Sequence, residues 1–260
     1  MGVAEKYISK LPDSTGHIAY TEQEDAMWQE LINCQLEQLP GRACDEYLIG
    51  LETLNIPHDR IPQLAAISTV LQQQTGWRVE PVDAVIGFTE FFAMLADKAF
   101  PAATFIRDHD EVEYLQEPDI FHELFGHTPL LTDPDFANFT HRYGLLASAA
   151  APADHGMLAR LYWFTVEFGL IQTGSGLRAF GAGVLSSPKE LVYALESKLP
   201  IHKPFDPVEI LRTRYRIDKL QPVYFCLDSF EQLFDLVNQD IKGYIEQARH
   251  LGMHQLISQE

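Results

Sequence analysis

Residues 118–130 read PDIFHELFGHTPL, with His122 and His127 five apart and Glu123 directly after the first histidine. The zinc-protease signature H-E-x-x-H spaces its histidines by four, which keeps them within roughly 40° of each other on a helix, where both grip one ion. A spacing of five on an unbroken α-helix gives an offset of roughly 140°, and the two imidazoles diverge. Glu117, Pro118 and Asp119 open a helix here, because proline suits a first turn and acids favour its positive end. Residues 120–125 are then expected as a short helix carrying His122. Gly126 and the Thr128-Pro129 pair work against its continuation. A helix that ends or deforms at Gly126 lets His127 swing to the side of His122, with Glu123 beside the pair. The plainer alternative is two ordinary core or surface histidines.

A third donor lies further along. Residues 158–174, LARLYWFTVEFGLIQTG, are apolar almost all round, the pattern of a buried helix, and Glu167 stands in their middle. Among Trp163, Phe164, Val166, Phe168 and Leu170 a carboxylate is costly to desolvate unless it is paired, protonated or bound to a metal. Two neutral imidazoles and one carboxylate form the facial triad that leaves three positions of an octahedral iron(II) open and suits oxygen chemistry. A zinc hydrolase uses the same three donors with Glu123 as base, so ligand identity alone leaves both readings open. A non-catalytic binding or assembly protein, whose histidines and acid only hold its core, is a third.

The remaining chain sets bounds. Its 260 residues, 46% hydrophobic, suffice for one large body with a sizeable core. A formal charge of −18 repels phosphate backbones and anionic lipid headgroups, so neither nucleic acid nor membrane is expected as a partner. Cys34, Cys44 and Cys226 form no C-x-x-C pair and suit a reducing compartment; with no signal-like N-terminus and no apolar run of membrane-spanning length, the expected location is the cytoplasm. His250 and His254 flank Gly252 near the chain end and read as a solvated tail, and neither GSGL, with Ala179 in the place of the third glycine, nor GAGV completes a G-x-G-x-x-G, which disfavours a dinucleotide site.

Helix starts are marked by Thr21 with Glu24, by Ser187-Pro188 with Glu190, and by Asp206-Pro207 with Glu209, each a cap followed by an acid at the third helical position. Apolar spacings of three and four extend helices over the residues after these caps and over 44–54, 61–74, 89–98, 134–150, 154–172 and 229–250. Strands are expected at 103–107, 177–180 and 222–227. The fold class is therefore mainly α with a minor β component (α+β). Residues 1–20 are expected as a weakly patterned arm, and 21–260 as a single domain.

PDIFHELFGHTPL, YWFTVEFGL and GAGVLSS at 181–187, in this order and at this spacing, resemble the pterin-dependent aromatic amino acid hydroxylases, with weaker similarity from about Trp77 to Phe230. The short chain looks most like the family's bacterial phenylalanine-hydroxylating members. The resemblance implies a single catalytic domain of that type, in which iron(II) and a tetrahydropterin activate oxygen to hydroxylate the para carbon of L-phenylalanine. Tryptophan and tyrosine hydroxylation are the alternatives within the family. Monomer or small homo-oligomer is the expected state.

By the same resemblance His122, His127 and Glu167 match the iron ligands. Arg107 matches the arginine that holds the substrate's carboxylate, with Asp119 to orient it, and a guanidinium fork suits that task. Pro118, Trp163 and Phe168 match positions near the substrate ring, and Gly183 and Ser186 match the loop beside it. For the pterin, Phe91 matches the stacking residue and Val85, Ile86 and Phe88 a segment whose backbone meets the ring. Glu123 and Tyr162 match its neighbours. Pro101 replaces a histidine and Leu115 a threonine of the animal phenylalanine enzymes. Cys226 is aligned with an aspartate of the tyrosine enzymes, and lack of that acid favours phenylalanine.

Overall fold

The computed structural model describes residues 7–83, 86–112 and 117–255. The caps set the first elements. At α1 (Glu22–Gln38) the Thr21 hydroxyl accepts from the Glu24 N–H and the Glu24 carboxylate accepts in return from the Thr21 N–H at 2.7 Å, a closed capping box. Trp28, Leu31 and Ile32 form its buried stripe. α2 (Asp45–Leu54) and α3 (Leu64–Gln74) follow, and α3 leads into β1 (Arg78–Val82). α4 (Phe88–Ala96) then carries the chain to β2 (Ala99–Ala103), which pairs parallel with β1. Parallel neighbours need such a crossover.

α5 (Pro134–Ser148) starts at Asp133, whose carboxylate accepts from the Asp135 and Phe136 N–H groups. It packs so tightly on α4 that a Cβ at Gly144 would lie 2.5 Å from the Ala96 nitrogen and 2.7 Å from the Leu95 carbonyl carbon. Gly144→Ala is therefore expected to cost about 2 kcal/mol by overpacking, a fall in melting temperature of about 5 °C. An unchanged thermal melt followed by circular dichroism would show that the two helices part without penalty.

α6 (His155–Tyr162) runs into β3 (Leu170–Thr173), which turns back as β4 (Gly176–Ala179). After α7 (Ala182–Leu185), α8 (Pro188–Glu196) begins at Ser187 with Pro188 in its first turn. β5 (Ile201–Pro204), α9 (Pro207–Arg212) with its Asp206 cap, β6 (Val223–Leu227), α10 (Phe230–Leu236) and α11 (Ile241–Leu251) complete the order. The four-stranded sheet runs β4-β3-β6-β5, antiparallel only at β3–β4. One apolar cluster reaches from Ile18 to Ala248, with Trp28, Trp77, Tyr143 and Phe121 among its largest members.

This is the mainly helical α+β architecture expected, with specific corrections. The strand placed at 103–107 is β2, four residues earlier. Ala99 to Ala103 are all buried, so β2 shows no alternation by which to place it. The helix expected over 154–172 stops at Glu167 and becomes β3, and that over 229–250 is two helices, the second capped by Asp240 on the Gly243 N–H. β1, β3 and β5 were not foreseen. Residues 7–20, expected as a weakly patterned arm, contain no helix or strand, yet Ser9 and Lys10 hydrogen-bond Thr104 and the Ile18 amide pairs with Gln63.

Candidate metal centre

The spacing of His122 and His127 is resolved by a π-helical turn over His122–His127. Bonding from i to i+5 widens the spiral, so residues five apart stack as residues four apart do in an α-helix. The ring centroids lie 4.8 Å apart, and the two Nε2 atoms approach to 3.1 Å. A widened turn frees carbonyls that buried structure must satisfy. Here the Tyr47 hydroxyl donates to the Phe125 carbonyl at 2.7 Å and the Thr128 hydroxyl to that of Leu124 at 2.6 Å. Gly126 fits because Ala182 approaches closely: a Cβ there would lie 3.0 Å from the Ala182 oxygen.

Glu167 ends a second π-helical turn, Trp163–Glu167, which closes with the Phe168 N–H on the Trp163 carbonyl at 2.9 Å. Its backbone is held from the other side by the start of α7, where a Cβ on Gly181 would fall 2.5 Å from the Glu167 oxygen. Glu167 Oε1 lies 3.1 Å from His127 Nε2 and Oε2 lies 3.6 Å from His122 Nε2. Donors on adjacent positions of an ion with bonds near 2.1 Å are about 3 Å apart, so this triangle fits one cation. The tautomer fits too. His122 Nδ1 lies 2.9 Å from the Ser186 oxygen, whose hydroxyl donates to the Ala182 carbonyl at 2.8 Å. Ser186 therefore accepts the Nδ1 proton, and Nε2 is left as a lone pair facing the other donors.

The electrostatics agree. Burial, the largest cause, lowers the His122 imidazole to about 4 against the pull of Glu167, so the ring is neutral at physiological pH. Burial raises Glu167, but the two histidines outweigh it and the net shift is downward. Two carboxylates compete for the third position, because a ligand atom of Glu123 lies within 4.8 Å of one on each histidine. Glu123 is the poorer donor. Burial and then the charges of Glu167 and Asp119 push its carboxyl well up, toward the protonated form, and it accepts a backbone hydrogen bond from Ala103.

Beside the triad opens a cavity of about 290 Å³, walled by Arg107, Pro118, Trp163, Phe168, Gly183 and Ser186 together with His122 and Glu167. All the substrate-side residues read from the sequence except Asp119 line it. Asp119 is buried behind Arg107, accepting from Nε and Nη2 at 2.8 Å each, from the Arg107 N–H at 3.0 Å and from the His122 N–H at 3.0 Å. Burial raises the Asp119 carboxyl, but Arg107 outweighs it and holds it below the usual range. One carboxylate thus ties Arg107 to a metal-side histidine.

The residues assigned to the pterin form a different group, and none of those described lines that cavity. Phe91 meets Tyr162 edge-on at 5.4 Å, Phe88 stacks on His155 at 4.0 Å, and Ile86 is half-buried. The Tyr162 hydroxyl is buried without a partner among the described residues, with Glu167 and Glu123 near enough to raise its pKa further than burial alone. A small polar ring beside this aromatic group would give that hydroxyl a partner. Val85 and Leu115 lie outside the described residues. Pro101 is buried in β2 opposite Glu80.

Cys226, aligned in the sequence with an aspartate of the tyrosine enzymes, lies on β6 between β3 and β5 and is not among the residues that line the cavity. Sequence reasoning missed Glu190 and Gln221, both buried in the cavity wall. Burial pushes the Glu190 carboxyl up to about 7. A signal existed: Glu190 shares the inward stripe of α8 with Leu191 and Ala194.

The chain matches the family model for biopterin-dependent aromatic amino acid hydroxylases over residues 3–250. It is 53% identical to the phenylalanine-4-hydroxylase of Pseudomonas aeruginosa over 249 residues, 96% of this chain and 95% of that one. The phenylalanine hydroxylase structure from Legionella pneumophila superposes with a TM-score of 0.93 at 51% identity, covering 95% of this chain and 98% of that one. The Chromobacterium violaceum phenylalanine hydroxylase structure, which has bound iron(III) and the oxidised cofactor 7,8-dihydrobiopterin, gives 0.87 at 44%, over 94% and 88%.

Proposed function

The chain belongs to the biopterin-dependent aromatic amino acid hydroxylases, and from that membership and the geometry above we propose that it converts L-phenylalanine to L-tyrosine with molecular oxygen, non-heme iron(II) and a tetrahydropterin. The observation that carries the reading is the convergence of His122, His127 and Glu167, from two separate π turns, on one point at the wall of a cavity with aromatic sides. Iron(II) held by these three, with a reduced pterin beside Phe91, Tyr162 and Glu123, supplies the oxygen activation.

The protein's own part is placement. Trp163, Phe168 and Pro118 offer apolar surface for the substrate ring and keep water from it. Asp119 takes the Nε and Nη2 edge of Arg107. The second edge, at Nη1, is the group assigned to the substrate's carboxylate. Ring and carboxylate are thereby fixed at opposite ends, and the ring faces the metal side.

No helix among the described residues is long and apolar enough to cross a membrane. Three free thiols and the charge of −18 support a reducing, cytoplasmic setting with small-molecule partners, neither nucleic acid nor membrane, as a monomer or small homo-oligomer. The test is incubation with iron(II), a tetrahydropterin, oxygen and each aromatic amino acid in turn. Tyrosine from phenylalanine, in preference to products from tryptophan or tyrosine, is expected. Preference for another ring would move the substrate, and no product from any would overturn the proposal.

A further inference from the structure

Glu190 occupies the third position of α8, where an acid ordinarily turns back to its own N-cap. Here the Ser187 oxygen accepts from the Glu190 N–H, but the Ser187 N–H goes to the Val184 carbonyl and the Glu190 carboxylate points elsewhere. Its Oε1 accepts from the Gln221 N–H at 3.0 Å and from the Tyr224 hydroxyl. Both partners are neutral, and the acid is only 4% exposed. A helix cap does not require that burial.

Gln221 links this acid to the substrate cavity. Its Oε1 accepts from the Trp163 indole N–H at 3.2 Å, and its Nε2 donates to the carbonyls of Arg216 at 2.7 Å and Lys219 at 3.2 Å. One amide therefore fixes the indole and closes the 216–221 loop. Trp163 is further held between Tyr215, stacked at 4.4 Å, and Phe168 at 4.7 Å. Stacking leaves an indole free to slide in its plane, whereas a hydrogen bond at Nε1 sets its rotation.

We propose that Glu190 is a positioning residue for the hydroxylation: through Gln221 it locks the Trp163 indole, so the phenylalanine ring meets a wall of fixed orientation. This rests on the function proposed above. A wall free to rotate admits the ring in several poses, and only some present the reacting carbon. The consequence is read in the phenylalanine requirement and in coupling, the tyrosine formed per tetrahydropterin oxidised.

The test compares Glu190→Gln, Glu190→Ala and Trp163→Phe, alone and combined, in the iron-loaded full chain, with thermal melting alongside. Glu190→Gln keeps an oxygen acceptor and should stay within about twofold of wild type in KM and coupling. Glu190→Ala should raise KM for phenylalanine about tenfold, the factor that goes with losing the one hydrogen bond from Trp163 to Gln221, and lower coupling, with pterin oxidation little changed. Added to Trp163→Phe, it should do no further harm. Should Glu190→Ala not fold, Gln221→Met cuts the same chain at Trp163 and must give the same shifts. Normal KM and coupling with only a lower melting temperature, or effects that add to those of Trp163→Phe, would overturn the proposal. Wild-type protein that makes no tyrosine would instead sink the function on which it rests.

Discussion

Glu167→Ala is expected to purify folded, melt within a few degrees of wild type, bind little iron and form tyrosine at least roughly 10³-fold more slowly, a loss of about 4 kcal/mol of transition-state stabilisation. The fold survives because the side chain is 16% open to the cavity and its backbone is held independently by the second π turn and by Gly181. Iron does not survive. Two imidazole nitrogens 3.1 Å apart cannot hold an ion firmly without the carboxylate, and burial shifts Glu123 toward its protonated form. Metal analysis of the purified variant separates loss of ligand from loss of fold. Full iron with normal turnover would remove Glu167 from the site.

The second large effect is expected at Asp119. Its side chain is fully buried against an Arg107 that is itself only 4% exposed, so Asp119→Ala leaves a guanidinium in the interior with no counter-charge. Breaking such a pair costs about 3–5 kcal/mol, a drop in melting temperature of roughly 10 °C for a chain this size. The His122 N–H loses its acceptor as well, so iron affinity should fall alongside stability. Adding Arg107→Met removes the stranded charge, and stability should recover in part, with the backbone N–H groups of residues 107 and 122 still lacking their acceptor, while phenylalanine no longer saturates the enzyme. Recovery of both would mean that Arg107 does not meet the substrate, and a melt unchanged in Asp119→Ala would mean that the pair is not buried as described.

Much of the site was legible because its chemistry is expensive. An acid amid Trp163, Phe164 and Val166 needs a reason, and a metal beside two histidines provides it. The caps at Thr21, Ser187 and Asp206 were legible because side-chain oxygens before helix starts answer a local need. What escaped was whatever depends on distant partners. β3 reads as more of α6 because LIQT continues an apolar run, and only β4 and β6, paired to it from later in the chain, make it a strand. Glu190 looked like a cap because its carboxylate's destination lies 31 and 34 residues onward. The π turns themselves leave no periodic signature, since a single wide turn is too short to shift the period of a helix.

Those two wide turns carry a cost in phase. Each inserts a residue without adding a full turn, so side chains beyond it are rotated by about 100° from where a uniform spiral would aim them. Leu130 and Leu131, which reach the core just after His127, take their direction from that same insertion. Grip on the ion and seating of the next apolar layer are thus one setting, and trimming the extra residue would misdirect both.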